Sequence, residues 1–387
     1  MRTKILTITF LVILFVVAGV NLINDMNALK PVTKFALGLQ VEDVETINDA
    51  IAVTETRFND DFVTKYPFIE VNAITERLMG SWVVNERIKM ESGSLIQQPY
   101  ELDMSDKAES VGRLNAYLEE QGIPFMYVAI PNKIKPGEDE VRPGIETHSN
   151  DNVDGLLAGL EKNSVPYLDL RIKLAEDRKD WQDCFFITDH HWKPETAFWA
   201  YTEVAAAMNE TMGFEIDETS MDRDNWETET YENIFLGSSG KRTGICFAGL
   251  DDFTLLLPKF ETEMSIKAPG EMSREGDYRE TMIEERHINY DYYNDNPYAA
   301  YIGGYKLVKA KNDTATNHGT LLILRDSYTT AMQPYMSFMF SRVDAIDLRE
   351  YDNKTLKEYI DKTKPCAVLM AYSPGTLQEE ALFTYGL

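Results

Sequence analysis

Cysteine and histidine are scarce in this 387-residue chain, which has three of the first and five of the second. The odd number of cysteines, at Cys184, Cys246 and Cys366, excludes a fully paired disulfide framework within one chain. The sequence has no Cys-x-x-Cys motif and no cysteine–histidine pair with zinc-site spacing, which excludes a zinc ribbon or finger. We interpret the cysteines as small buried hydrophobic residues, with one bridge between two of them left open.

Basic residues are outnumbered by acidic ones, with 38 lysines and arginines against 64 aspartates and glutamates and a formal net charge of −26. A surface of this sign repels nucleic acid, which is therefore excluded as a partner. A neutral polymer would be tolerated, whereas an anionic polymer would need a locally basic groove. The composition, 44% hydrophobic and 26% charged, is ordinary for a globular protein with a large core.

Long hydrophobic runs are also absent, except at the N-terminus. Arg2 and Lys4 precede an uncharged segment, residues 5–24, that is rich in Ile, Leu, Val and Phe. About 20 residues at ~1.5 Å each span the ~30 Å hydrocarbon core of a bilayer, and the basic flank favours an internal N-terminus. We predict a single-pass signal anchor over residues 1–29 with the remaining chain outside the cytoplasm; a cleaved signal peptide is the alternative.

The rest of the chain predicts an α/β fold. Residues 30–100 read as a linking region, and residues 101–387 as a catalytic domain in which short apolar strands alternate with amphipathic helices. This alternation is typical of a Rossmann-like parallel sheet with crossover helices. Residues 213–300 break the pattern and predict a β-rich insertion. The predicted strands are at residues 125–130, 165–170, 185–188, 320–324, 343–348 and 367–371.

The first motif with chemical potential is Asp189-His190-His191-Trp192. It follows the predicted strand at residues 185–188 and precedes a predicted helix. Ligands of a parallel sheet bind at the carboxyl ends of its strands, so the motif would lie at the ligand-binding edge.

The second motif is Arg325-Asp326-Ser327-Tyr328, which follows another predicted strand and also precedes a helix. A serine at a strand-to-helix turn projects its hydroxyl over the sheet edge, and the helix N-terminus supplies N–H groups to an oxyanion. The hydroxyl needs a base to remove its proton, and histidine suits that role near neutral pH. We predict Ser327 as nucleophile, His191 as base and Asp189 as the carboxylate that orients the imidazole.

Simpler interpretations exist for both motifs. An Asp-Ser pair at a strand end is often only a helix cap. A tandem histidine is often a structural element or a metal ligand, but a zinc site from Asp189 and His191 lacks an identifiable third ligand, and we predict no metal and no cofactor. The joint occurrence of both motifs at strand ends favours the serine triad.

At these residues the sequence resembles a known family. The string Asp189-His190-His191-Trp192 with a downstream Asp-Ser is similar to the DHHW proteins, which resemble the SGNH-like alginate O-acetyltransferases. The resemblance covers about residues 100–375 and implies an SGNH hydrolase-like fold in which the serine follows the Asp and His in the chain. It also implies the same triad, with Ser327 as nucleophile. Arg325 departs from the pattern, because many relatives have glycine there.

The remaining candidates surround the predicted triad. The Ser327 N–H and the pair Gly303-Gly304 are candidate oxyanion donors, although the glycine pair also suits a simple strand bulge. His190 is a candidate support. The candidate substrate-binding residues are Trp192, Tyr328 and Arg349, and Gly237 is a weaker candidate for contacts of the insertion.

The predicted function is acyl transfer at the cell surface through an acetyl-Ser327 intermediate. Transfer to an extracellular polysaccharide would make an O-acetyltransferase, and transfer to water an acetylesterase. An acyl-carrying membrane protein is the candidate donor partner. The alternative of another class is a non-catalytic protein that binds or assembles polysaccharide, and a metal-dependent hydrolase is third.

Overall fold

The computed structural model describes residues 2–24, 29–41, 44–60, 65–97, 99–138, 140–178 and 180–387. The chain divides into two compact units, Met1–Gly80 and Ser81–Leu387. The described part of the first unit is helical. Its helices are α1 (Arg2–Asn24), α2 (Lys30–Ala36), α3 (Ile47–Asp60) and α4 (Lys65–Met79).

The predicted membrane anchor is wrong. Among the described residues, no helix is both long enough and apolar enough to cross a bilayer. Threonines lie near the N-terminal end of α1 and asparagines near its C-terminal end. The longest uninterrupted apolar run between them is residues 10–20. A run of that length rises only about 16 Å, against the ~30 Å of a hydrocarbon core. The predicted single-pass localisation is wrong for the same reason.

The second unit combines short strands with helices. Its strands are β1 (Val83–Val84), β2 (Arg87–Lys89), β3 (Leu95–Ile96), β4 (Phe125–Ala129), β5 (Glu140–Arg142), β6 (Ile145–Glu146), β7 (Tyr167–Asp169), β8 (Trp226–Phe235), β9 (Asp251–Pro258), β10 (Met264–Ala268), β11 (Met272–Gly276), β12 (Leu307–Lys311), β13 (Asn317–Arg325), β14 (Phe340–Ile346) and β15 (Ala367–Tyr372). Its helices are α5 (Ser105–Glu120), α6 (Ser149–Lys162), α7 (Leu170–Asp177), α8 (Pro194–Met212), α9 (Glu218–Met221), α10 (Ser238–Thr243), α11 (Ile245–Ala248), α12 (Tyr278–Met282), α13 (Thr329–Met336) and α14 (Leu356–Thr363).

The main sheet is mixed, not wholly parallel as predicted. Within the described residues, eight strands form it in the order β11-β10-β12-β14-β13-β15-β4-β7. The five strands from β14 to β7 are parallel, and β12, β10 and β11 add antiparallel pairs at one edge. Two of these antiparallel strands come from the segment predicted as an insertion, residues 213–300. Two others from that segment, β8 and β9, form a separate antiparallel pair.

Both faces of the sheet are covered. Leu321 and Ile323 of β13 join one apolar cluster, and the alternating Leu322 and Leu324 join another. Residues of α8 and α13 belong to the first cluster, and residues of α5, α6 and α14 belong to the second. Because neighbouring side chains of a strand point to opposite faces, an almost continuous apolar run such as β13 is what a doubly covered sheet requires.

The predicted strand at residues 185–188 is wrong, because this segment is a loop. Within the described residues it forms only a single bridge, between Phe185 and Trp192. The backbone N–H groups of Ile187 and Thr188 donate to the Asp251 carboxylate at 2.7 and 2.8 Å. A side chain therefore satisfies the backbone groups that would otherwise pair with a neighbouring strand.

The three cysteines are all free. Cys184 is buried, whereas Cys246 and Cys366 are partly exposed. The interpretation as buried small residues is thus confirmed for Cys184, and no bridge joins two of the three.

Candidate active site

Ser327 lies in the turn between the end of β13 and the start of α13. The preceding Asp326 is fully buried and fixes this turn. Its carboxylate accepts hydrogen bonds from the Tyr328 N–H at 2.9 Å, the Ser373 N–H at 2.7 Å and the Thr376 hydroxyl at 2.8 Å. Asp326 therefore holds the nucleophile turn against the segment that follows β15.

A hydrogen-bonded relay joins the three residues predicted as a triad. His191 Nε2 lies 2.9 Å from Ser327 Oγ, and His191 Nδ1 lies 2.5 Å from Asp189 Oδ1. The Asp189 carboxylate also accepts the His191 backbone N–H at 3.1 Å. These contacts have the arrangement that a serine nucleophile, its base and an orienting carboxylate require.

Asp189 is buried and remains ionised. Burial alone would raise its pKa, but the His190 and His191 imidazoles and the Ser238 N–H, which donates at 2.6 Å, hold the pKa of this carboxyl well below its usual range. An anionic carboxylate accepts a hydrogen bond from the Nδ1–H group, which leaves Nε2 unprotonated and able to accept a hydrogen bond from the serine hydroxyl. This is the tautomer that a general base requires.

An aromatic ring that the sequence did not predict packs on His191. Tyr298 stacks on the His191 imidazole, with ring centroids 4.1 Å apart and planes inclined by 13°. Its hydroxyl donates to the Tyr328 backbone oxygen at 2.9 Å. Tyr298 comes from the 3₁₀ turn Pro297–Tyr301, and no motif in the sequence connects that turn to the histidines.

The structure also supplies the third residue that a metal site lacked. Asp189, His190 and His191 hold their ligand atoms within 4.8 Å of one another. However, two ligands of a tetrahedral zinc ion at ~2.1 Å lie roughly 3.4 Å apart. The 2.5 Å between Asp189 Oδ1 and His191 Nδ1 is instead a hydrogen-bond distance, and the other imidazole nitrogen of His191 faces Ser327.

The backbone N–H groups predicted to stabilise an oxyanion differ in whether they are free to donate. The Ser327 N–H donates to no residue in the described part of the chain, so it is available to a ligand. The Gly303 N–H donates to the Ala299 oxygen at 3.0 Å, which corrects its nomination as an oxyanion donor. Gly303 and Gly304 follow the 3₁₀ turn Pro297–Tyr301, and Gly304 has a φ of +85°. The pair therefore ends a turn, and the strand bulge proposed as its simpler interpretation is not formed.

The three predicted substrate-binding residues have different positions. Trp192 is fully buried and donates through Nε1 to the Tyr328 oxygen at 2.9 Å, which leaves no ring face for a substrate. Tyr328 borders the cavity beside Ser327 and donates its hydroxyl to the His190 oxygen. Arg349 also borders that cavity, paired with Asp347 at 2.7 Å. Trp192 thus supports the turn, while Tyr328 and Arg349 are placed to meet a ligand.

His190 and Arg325 differ in exposure and in their partners. The side chain of His190 is 51% exposed and its Nδ1 lies 3.0 Å from Ser238 Oγ, at the cavity. Arg325 is buried and donates to the Tyr305 oxygen. The structure therefore accommodates Arg325 at the position where many relatives have glycine, with its guanidinium bound to a backbone oxygen.

Gly237 is needed for the position of Asp189. A Cβ at Gly237 would lie 2.2 Å from Asp189 Cβ and 2.5 Å from its Cα. Gly237→Ala would therefore displace Asp189 from His191, and a shift of ~1 Å costs roughly 10²-fold in rate. We expect about this loss in 4-nitrophenyl acetate hydrolysis.

The control for this variant is Gly155→Ala, where the new Cβ meets only Met104 atoms at 3.8 Å. Because Gly155 is inside α6, alanine there should leave the rate unchanged and stabilise the fold by about 0.5–1 kcal/mol. Equal rates for Gly237→Ala and wild type would show that this close packing does not position the carboxylate.

The fold and the site together define an SGNH-like α/β protein. Residues 91–237 match the family model described as SGNH hydrolase-like domain, acetyltransferase AlgX. This confirms the resemblance predicted from the sequence. The match includes Asp189, His190 and His191 and ends before Ser327. No curated protein matches the sequence.

Solved structures with the same fold cover about three quarters of the chain. Bacillus cereus PatB1 is 21% identical with a TM-score of 0.64, covering 77% of this chain and 99% of that one. PatB1 with a sulfonyl adduct is 19% identical with a TM-score of 0.63, covering 77% and 97%. A DHHW family protein from Eubacterium siraeum is 18% identical with a TM-score of 0.57, covering 77% and 93%. At these identities the likeness shows the fold.

Proposed function

We propose that this protein is a serine acyltransferase that moves an acetyl group onto a polysaccharide hydroxyl. The observation that carries the proposal is the relay from Ser327 Oγ through His191 to Asp189, with contacts of 2.9 and 2.5 Å. A non-catalytic protein that kept only the fold would have no need of these aligned contacts. The family model, which describes an acetyltransferase, supports the choice of acetyl group.

The first half-reaction acylates the enzyme. Ser327 Oγ attacks the acetyl carbonyl carbon while His191 Nε2 takes the hydroxyl proton. The Ser327 N–H and the N-terminus of α13 stabilise the oxyanion. The tetrahedral intermediate then collapses, the bond from carbon to the donor breaks, and His191 returns the proton to the leaving group.

The second half-reaction regenerates the serine. An acceptor hydroxyl loses its proton to His191 and attacks the acetyl-Ser327 carbonyl, and the serine oxygen leaves with that proton. A sugar hydroxyl as acceptor gives the O-acetylated product, and water gives acetate. Both outcomes use the same residues, so the acceptor that reaches the acyl-enzyme decides between transferase and esterase.

A sulfonyl fluoride tests the nucleophile directly, because the serine oxygen displaces fluoride and retains the sulfonyl group. A sulfonyl adduct in PatB1, which shares this fold, supports the choice of reagent. We expect methanesulfonyl fluoride to add one methanesulfonyl group to the full chain. Peptide mass mapping should locate this group at Ser327. The same reagent should block hydrolysis of 4-nitrophenyl acetate.

The acceptor is then tested by adding oligosaccharides to the acetyl-enzyme. Faster loss of the acetyl adduct with appearance of an acetylated sugar supports the transferase. Loss at the rate set by water alone, with every sugar tried, favours the acetylesterase. A folded protein that forms neither adduct contradicts both and favours the binding or assembly alternative.

A further inference from the structure

A second set of hydrogen bonds surrounds the loop that carries Asp189. Its centre is Asp251 of β9, whose side chain belongs to a residue that is only 5% exposed. One carboxylate oxygen accepts the Ile187 N–H at 2.7 Å. The other accepts both the N–H and the hydroxyl of Thr188, at 2.8 and 2.6 Å. These three bonds all end on the two residues immediately before Asp189.

A buried carboxylate is an unfavourable group with which to satisfy two backbone N–H groups. Burial raises the pKa of Asp251, because a charge is removed from water, and the three hydrogen bonds and the nearby Lys133 charge oppose that effect. A neutral acceptor would satisfy the same N–H groups without this penalty. What the charge adds is shorter and stronger hydrogen bonds, and therefore a more rigid loop.

The Thr188 hydroxyl connects Asp251 with the turn that holds the Asp189 carboxylate. It donates to Asp251 and accepts the Gly237 N–H at 2.8 Å. The next residue of that turn, Ser238, donates its N–H to the Asp189 carboxylate at 2.6 Å. Thr188 is fully buried, so bulk water does not compete for these bonds. A continuous path of hydrogen bonds and short backbone segments thus runs from Asp251 to Asp189.

The Ile187 carbonyl is held by other elements. It accepts the Leu95 N–H of β3 at 2.9 Å and a hydrogen bond from Lys133 Nζ at 3.0 Å. Lys133 Nζ also donates to the Leu95 oxygen at 2.7 Å, which joins β3 to the loop a second time. Ile187 is therefore fixed through both its N–H and its carbonyl, and the chain enters Asp189 from a fixed point.

We propose that Asp251 and Thr188 are positioning residues, which hold the Asp189 carboxylate in its place in the triad and do not touch the substrate. The proposal rests on the acyl-transfer function proposed above. Catalytic groups must be held within about 0.5 Å of the productive geometry. The contact that these residues would hold is the 2.5 Å hydrogen bond between Asp189 Oδ1 and His191 Nδ1. The simpler interpretation is that they only satisfy buried polar groups and contribute to stability.

Thr188→Val tests the proposal, because valine keeps the shape of threonine and removes the hydroxyl. We expect kcat for 4-nitrophenyl acetate to fall about tenfold or more, with little change in KM. Thr188→Ser retains the hydroxyl and should restore most of the wild-type kcat. Asp251→Asn replaces one acceptor oxygen by an NH₂ group and should also lower kcat, so it remains informative if Thr188→Val fails to fold.

The matched control is Thr281→Val. Thr281 is also fully buried, and its hydroxyl donates to the Asp277 oxygen at 2.6 Å at the start of α12. We expect both valine variants to lower the urea unfolding midpoint, but only Thr188→Val to lower kcat. A role in stability alone would affect the two variants alike.

Proton NMR of the full chain reports the position of Asp189 without any turnover. The proton between His191 Nδ1 and Asp189 Oδ1 lies in a short hydrogen bond to an ionised acceptor, and such protons resonate far downfield. We expect this resonance in the wild type, in Thr188→Ser and in Thr281→Val. In Thr188→Val it should shift or disappear, because the carboxylate is no longer held against the imidazole.

A folded Thr188→Val with the resonance and the kcat of the wild type overturns the proposal. A wild type without the resonance also counts against it, because there would be no sheltered hydrogen bond to position. Normal sulfonylation of Ser327 in either case leaves the proposed function standing. A resonance that depends on Thr188, in a protein that is not sulfonylated, would instead support the positioning role and remove the acyl-transfer function.

Discussion

Ser327→Ala should reduce kcat for 4-nitrophenyl acetate about 10³-fold or more and abolish the acetyl and sulfonyl adducts. Ser327 Oγ is the oxygen that His191 Nε2 contacts, at 2.9 Å. Alanine removes that oxygen and leaves the turn intact, because Asp326, not Ser327, makes the bonds to Tyr328, Ser373 and Thr376. We therefore expect little change in the urea unfolding midpoint.

The matched control is Ser341→Ala, a serine on β14 whose hydroxyl bonds to Gly319. This variant should form both adducts and hydrolyse the ester at the wild-type rate. The mechanism is contradicted if folded Ser327→Ala retains the wild-type rate or acquires the adduct at the same peptide. Such a result would show that another residue is the nucleophile and that the hydrogen bonds from Ser327 through His191 to Asp189 do not serve this reaction.

The relay was predictable because its geometry depends on short stretches of sequence. Asp189 and His191 are two residues apart, so one loop brings both together wherever it lies. Ser327 follows an apolar strand and precedes a helix, and that order places a hydroxyl over a sheet edge. The sequence did not show how the two motifs meet, because Asp189 follows a loop and only Ser327 follows a strand of the sheet.

The strand predicted before Asp189 is wrong because a residue distant in sequence binds the backbone of this segment. Phe185 and Phe186 are apolar enough for a buried strand, but Asp251 takes the N–H groups of Ile187 and Thr188. Nothing near residue 185 identifies Asp251 as the partner. The prediction of a wholly parallel sheet was also wrong, because short apolar strands have similar sequences whether they pair in parallel or antiparallel.

The sequence also could not predict the contacts that single atoms make. Gly303 was a reasonable oxyanion donor until its N–H was seen to bond to Ala299. Trp192 was a reasonable sugar platform until its indole was seen to be buried against the Tyr328 oxygen. The cavity beside Ser327 is lined by Arg87 and Arg242, which are distant from each other in the sequence.

The adjacent histidines offer the sharpest test of how the serine is activated. His191→Gln should lower kcat for 4-nitrophenyl acetate about 10³-fold or more, because glutamine cannot accept the Ser327 proton. His190→Gln should cost less than about tenfold, because His190 Nδ1 bonds to Ser238 Oγ and does not touch the nucleophile. The same substitution at neighbouring positions controls for the change in size and for the loss of an imidazole ring.

The pH profile separates a base from a structural support. In His191→Gln the residual rate should rise continuously with pH, since hydroxide then removes the serine proton in place of the imidazole. In His190→Gln the profile should keep the shape of the wild type. A His191→Gln enzyme that was slow but kept the wild-type profile would point to a support role for His191.

A chelator distinguishes the metal alternative in the same experiment. Asp189, His190 and His191 are close enough to suggest a metal site, and under that mechanism both histidine variants would fail together and EDTA would stop wild-type turnover. Under the serine mechanism EDTA leaves turnover unchanged and the two variants differ about 10²-fold or more. The 2.5 Å contact between Asp189 Oδ1 and His191 Nδ1 favours the second result, because it joins a proton donor to an ionised acceptor and is shorter than the separation of two ligands on one metal ion.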